Sequence, residues 1–111
     1  MAYDEELAQR IREMLVYEDG VVEKPMFGGL SFLIGGHIAA AVSRQGGLLM
    51  RCPTDEWDEL MRDPYVHPME MGGKAARGWL RVDAEGVAED NDLRDWVQSG
   101  IGFARSLPPK P

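Results

Sequence analysis

An α+β architecture in two layers, with helices on one face of an antiparallel sheet, is expected from three features of this chain. Apolar residues recur at helical spacing near both ends. Between them lie short apolar runs separated by Gly-Gly pairs at 28–29, 35–36, 46–47 and 72–73, the punctuation of tight β turns. The strand-like runs are also grouped rather than alternating singly with helices, which favours antiparallel pairing over a doubly wound sheet.

The elements follow in order. Leu7, Ile11, Met14 and Leu15 share one face of a helix over Asp4 to about Tyr17, with Asp4 as N-cap and Glu5 and Glu6 at the positive end of the dipole. Gly20 stops it. Val21 and Val22 lead into Met26 and Phe27. Three strands are then expected as a meander: Leu30–Ile34, Ile38–Ser43 and Leu48–Cys52. Thr54 suits the N-cap of a short helix carrying Trp57, Leu60 and Met61, ended by Asp63-Pro64. Val66–Met71 contains Pro68, so as a strand it is an edge or a short one. Gly78–Val82 reads as a strand with Trp79 and Arg81 on one face, Leu80 and Val82 on the other. After a turn over Asp83–Glu89, Asp90 or Asn91 caps a last helix whose buried stripe is Leu93, Trp96, Val97, Gly100, Ile101 and Ala104. Pro108-Pro109 ends it, and the final residues are expected to fray. The order is therefore α-β-β-β-α-β-β-α.

The 111 residues suffice for one domain, 1–111, with an ordered core over about 3–107. A net charge of −7 lowers the prior for non-specific attraction to nucleic acid or anionic lipid. One cysteine, Cys52, excludes an internal disulfide and suits a cytoplasmic, reducing setting. The N-terminus lacks the basic and apolar regions of a signal peptide, and no apolar run approaches bilayer length.

Candidates for chemistry are sparse. His37, His67 and Cys52 have no metal-ligand spacing, so no metal is expected. No cofactor motif occurs, because none of the glycine pairs fits a dinucleotide or phosphate loop. Cys52 reads as a small apolar residue, His37 as a surface residue and His67 as a loop or strand-end residue. The carboxylates sit at helix starts and solvated faces. Glu70 is the exception: alternation would put it on the face opposite Met69 and Met71. No catalytic residues are assigned, and a non-enzymatic role is expected. Met26, Met50, Met61, Met69 and Met71 read as core filling, or else as an adaptable patch for a partner. Lys74, Arg77 and Arg81 fall close together, with Lys24 and Arg51 on the same sheet. With Trp79 among them they could form a local basic strip for an anion, a nucleic acid or a protein partner. Scattered surface charge is the alternative reading. Oligomeric state is open, a homodimer included.

Lys24-Pro25-Met26-Phe27-Gly28-Gly29-Leu30-Ser31-Phe32 resembles the signature of the TfoX N-terminal domain family. Pro68-Met69-Glu70-Met71, Gly78-Trp79, Trp96 and the ending Ala104–Pro108 fit it too, so the resemblance spans roughly residues 3–109. It implies an α+β fold similar to secretion chaperones. It also implies a regulatory, protein-binding role: family regulators of natural competence help activate transcription of DNA-uptake genes together with a cyclic-AMP receptor protein. Those regulators have a second, C-terminal domain, and this chain, ending at Pro111, is expected to be a stand-alone N-terminal-type domain. The family brings no assignable catalytic residues. A small-molecule binder is the remaining alternative. In this reading Gly28-Gly29 is mainly architectural, a turn or bulge, with Met26 and Phe27 in the core.

Overall fold

The architecture was obtained as a computed structural model, which describes residues 3–26 and 28–110. Helix α1 spans Glu5–Met14 and begins where Asp4 can cap it: the Asp4 carboxylate accepts from the Leu7 N–H at 3.1 Å. Six strands follow, β1 (Val21–Met26), β2 (Gly29–Ile34), β3 (His37–Val42), β4 (Leu48–Arg51), β5 (Val66–Met71) and β6 (Lys74–Val82), with α2 (Trp57–Leu60) between β4 and β5. A 3-10 turn over Ala84–Val87 leads to α3 (Asp90–Ser106). The strands form one antiparallel sheet in the order β1-β2-β3-β4-β6-β5. The α+β expectation therefore holds.

Four strands, not three, precede α2. Val21–Met26 pairs along its whole length with β2, from Val21 opposite Ile34 to Met26 opposite Gly29. Pro25 hides this in the sequence, yet it is tolerated because β1 is an edge whose outer side needs no N–H donor. Pro68 lies on the other edge, β5, as expected. Both edges thus carry a proline, a device that discourages further strand pairing.

All three helices pack on one face. Leu7 and Ile11 of α1 and Leu93, Val97 and Ile101 of α3 meet Leu30, Phe32, Val42, Leu48, Leu80 and Val82 of the sheet, with Trp57 and Leu60 of α2 at the margin. A smaller cluster of Ile38, Ala41 and Leu49, flanked by Leu33, Met69 and Trp79, forms on the opposite face. Strand β3 is buried throughout because it breaks alternation. Phe32 pairs with Ala40 and Leu33 with Ile38, so Ala39 is the extra residue of a bulge. Ala39 and Ala40 consequently both belong to the helix-side core. There α3 comes closest: a Cβ on Gly100 would overlap the Ala39 carbonyl oxygen.

Several local expectations are corrected. Glu56 rather than Thr54 precedes α2, and Thr54 contributes its carbonyl to the Trp57 N–H. Glu89 occupies the N-cap of α3, one residue earlier than expected. The C-terminal tail does not fray. His37 Nε2 donates to the Pro108 carbonyl at 2.7 Å, and the Lys110 N–H donates to the Gly35 carbonyl at 2.8 Å. The tail thus lies along the β2–β3 hairpin, and His37 is buried beneath it instead of standing at the surface. The placement expected for Phe27, and that of the Met71 side chain, lie outside the described residues.

Substituting Gly100→Ala should push α3 off the bulge and destabilise the fold by about 2–3 kcal/mol, the cost of overpacking a seat that cannot relax. Urea unfolding reads this directly, and an unchanged midpoint would show that the seat is loose.

Candidate functional site

The helix-free face of the sheet is concave and lined by a groove of about 760 Å³. One row of cross-strand partners crosses the sheet, Lys24, Ser31, Ala41, Leu49, Arg81 and His67, one from each strand, and all but Lys24 line the groove. Residues directly opposite in an antiparallel pair share a face, so register alone aligns this row. Met26, Gly29, Ser43, Arg44, Met69 and Glu70 add the walls. Met69 and Glu70 both line the groove, contrary to the expected alternation. The pairing jumps from Pro68 opposite Leu80 to Glu70 opposite Ala75, which breaks period 2.

Gly28-Gly29 sits on the groove's lip. Gly28 takes the left-handed region at φ 78°, turning β1 into β2. A Cβ there would lie 2.6 Å from Cδ of Arg44, whose side chain crosses the glycine, while a Cβ on Gly29 would overlap the Val42 carbonyl oxygen. The pair is therefore architectural, as expected, and it also lets Arg44 lie close over the groove's end.

At the β5 side, His67 Nε2 meets Asp83 Oδ2 at 2.8 Å, and Arg81 Nη1 reaches Asp83 Oδ1 at 3.2 Å and the Gly46 carbonyl at 3.3 Å. His67 is thus a residue near the start of β5, the strand-end placement of the two expected, and it is held by a carboxylate. The hydrogen bond to His67 holds the Asp83 carboxyl below the usual range against the opposing effect of desolvation, with the charges of His67 and Arg81 adding to the lowering. Ser31 lies in the same row, but four strand spacings away, roughly 19 Å on a flat sheet. That distance does not make a nucleophile–base pair.

The six residues expected to form a basic strip divide into four groups. Arg51 and Trp79 are direct cross-strand partners, and the Arg51 guanidinium lies 5.1 Å from the Trp79 ring centroid. Arg81, two residues on, faces the groove, with exposed Lys24 at the far end of its row. Arg77 departs from them. Gly78, at φ 92°, breaks the alternation of β6. Arg77 instead forms a two-pronged pair with Asp58 at 2.8 and 3.1 Å, its guanidinium over the Trp57 ring at 5.4 Å. Lys74 stands exposed at the start of β6, paired with Met71 beyond the Gly72-Gly73 turn.

Cys52 is buried, and burial pushes its thiol pKa up, away from the thiolate a nucleophile needs. Among the described residues, no three His, Cys, Asp or Glu side chains gather as a metal site would require, and no helix is long and apolar enough to cross a membrane.

A family model described as the TfoX N-terminal domain matches residues 13–104. The chain belongs to this family. No curated protein and no solved structure matches it significantly. Within this TfoX N-terminal domain, the signature stretch Lys24–Phe32 supplies the end of β1, the groove's lip and most of β2. Asp83, Arg44 and Phe103 were not singled out from sequence. Asp83 becomes visible only once β5–β6 register sets His67 opposite Arg81. Phe103 matters because its ring lies 5.2 Å from the Arg51 guanidinium, a contact between distant elements.

Acid should expose the His67–Asp83 contact. Because the folded carboxyl holds its proton less tightly than the unfolded one, its stabilising effect is complete above about pH 4 and fades as pH falls through the depressed folded value. The Asp58 and Glu23 carboxyls, lowered by hydrogen bonds from Arg77 and Arg12, act in the same direction. Urea midpoints should therefore drop as pH falls below about 4, and Asp83→Asn should flatten part of that drop. A variant profile parallel to wild type would remove Asp83 from the account.

Proposed function

We propose that this TfoX N-terminal domain is a non-enzymatic protein-interaction module whose helix-free groove seats an extended, acidic segment of a partner protein. In keeping with the family resemblance, it would serve as an accessory to transcription regulation in the cytoplasm. The observation that carries the reading is the groove itself: apolar side chains along its floor with Arg44 and Arg81 in its lining, on a chain of net charge −7. Leu49, Ala41 and Met69 offer apolar contact, and methionine adapts to varied partners. Arg44 offers a guanidinium fork matched to carboxylates, and Arg81, held by Asp83 and the Gly46 carbonyl, stands fixed beside the floor. Alternation within an extended partner would direct apolar side chains to the floor and acidic ones to the rim.

The groups with catalytic potential are occupied in ways that support a binding role. His67 is bound to Asp83, His37 to the Pro108 carbonyl, and the Cys52 thiol is buried.

The test is titration of isotope-labelled protein with a peptide alternating glutamate and valine, and with its lysine counterpart. The acidic peptide should shift the amides of Ser31, Ala41, Leu49 and Arg81 saturably, and more weakly at high salt. The lysine peptide should not. Arg44→Glu should weaken binding about tenfold or more, a loss of roughly 1.4 kcal/mol. Equal response to both peptides, shifts confined to the helical face, or tighter binding of duplex DNA at the same low salt would each overturn the reading.

A further inference from the structure

A second cavity, of about 300 Å³, opens on the helix side, between the end of β4, the start of α2 and the C-terminal half of α3. None of the residues lining it lines the groove. Its walls are mostly apolar, with Met50, Leu60, Trp96 and Phe103 prominent, and it contains one cation, Arg51.

Arg51 is placed unlike the chain's paired arginines. Arg10, Arg12, Arg77, Arg81 and Arg105 each hold a carboxylate within 3.2 Å. Arg51 has no carboxylate partner among the described residues. It is sandwiched between the Trp79 and Phe103 rings at 5.1 and 5.2 Å, and its Nε is buried without a protein acceptor. Aromatic faces attract the charge but supply no lone pairs in the guanidinium plane, where its five N–H donors point. Buried donors are ordinarily satisfied. An in-plane oxyanion would complete this one.

Gly102 gives a separate indication. Glycine weakens a helix interior, and a neighbouring contact commonly accounts for it, as at Gly100. At Gly102 a Cβ would meet nothing within 4 Å, and the residue lines the cavity. What a side chain there would fill is the opening.

We propose that this cavity binds a small monocarboxylate with an apolar body, its carboxylate on Arg51 and its body against Leu60, Trp96 and Phe103. Arg51 is the one cation in the lining and can balance a single negative charge, while Glu56, also in the lining, opposes the second charge of a dianion such as a phosphate ester. A volume at the lower end of ligand pockets, roughly 300–1,000 Å³, excludes nucleotides and long lipid chains. Ser99 and Ser106 add hydroxyls on the α3 side. The site is independent of the groove and stands or falls separately.

The experiment titrates the full chain, labelled with nitrogen-15, with acetate, isovalerate and phenylacetate. Phenylacetamide and inorganic phosphate serve as controls. Affinity should rise with the apolar body, reaching a Kd on the order of 1 mM or tighter for phenylacetate. The Arg51 Nε–H and Trp96 indole signals should move saturably. Arg51→Met should weaken phenylacetate at least tenfold, and Glu56→Gln should tighten it severalfold. Gly102→Leu should abolish binding while leaving the melting temperature equal to wild type or higher, which separates a plugged cavity from a misfolded chain. Phenylacetamide binding as well as phenylacetate would overturn the proposal. So would phosphate binding more tightly, absence of any saturable shift, or unchanged affinity in Gly102→Leu.

Discussion

The approach of α3 to the β3 bulge is the constraint on which the rest of the molecule depends. Gly100 lets the helix backbone press against the Ala39 carbonyl, closer than any side chain would allow. That seat sets the helix's rotation, and with it the stripe of Leu93, Val97, Ile101 and Ala104 that closes the core. It coincides with a parting in the sheet. Strand β3 pairs with β4 only at Ala41–Leu49 and Val42–Leu48, whereas β4 continues against β6 as far as Arg51–Trp79. Phe103, one turn beyond Gly100, comes to lie over Arg51. Past the helix, Pro108–Lys110 reach the β2–β3 hairpin and cover His37. The core, the small cavity and the tail are therefore positioned by one close contact.

The two faces of the sheet solve different problems. On the helix face, apolar area removed from water drives packing, and the surrounding ion pairs mainly fix geometry: Arg10–Asp90 joins α1 to the start of α3, Arg12–Glu23 joins α1 to β1, and Arg105–Glu18 ties the end of α3 to the loop after α1. Such exposed pairs stabilise weakly. The other face buries Ser31, Ala41 and Leu49 with no helix upon them. Curvature of the sheet shelters them, and the groove results. With Arg81 held between Asp83 and the Gly46 carbonyl, a fixed guanidinium stands beside that apolar floor.

Much of this was legible in the chain, for identifiable reasons. Helical period marked α1 and α3, and Gly-Gly pairs marked the hairpins, because both signals are local. What escaped was set by register or by distant contacts. The run Ala39-Ala40-Ala41 carries no mark of a bulge, since alanine suits either face. Gly78 gave no sign that it would turn Arg77 toward Asp58, although a glycine inside a strand can do so. The basic strip was drawn from closeness in sequence and a shared sheet, and beyond Gly78 Arg77 turns to Asp58 instead. His37 looked exposed because it follows a turn. Its burial depends on a tail 71 residues later in the chain. The groove row was within reach in principle, since Trp79 and Arg81 were correctly assigned to one face, but linking them to Lys24 and His67 required the order of all six strands.

Trp79 stands where the two sites meet, and its setting decides how far they can communicate. Its ring belongs to the groove-side cluster with Ile38, Ala41 and Leu49, and it also faces Arg51 of the small cavity. Coupling between sites is a reciprocal free energy, and it needs an element with two arrangements that both ligands bias. Trp79 is poorly suited to be that element. Its carbonyl accepts the Trp57 indole N–H at 2.9 Å, and β4 pairing fixes it opposite Arg51. Gly78 before it is confined by Thr54 and the Cys52 carbonyl. A backbone so held fixes the position from which the ring projects. The geometry thus favours two neighbouring sites that fill independently.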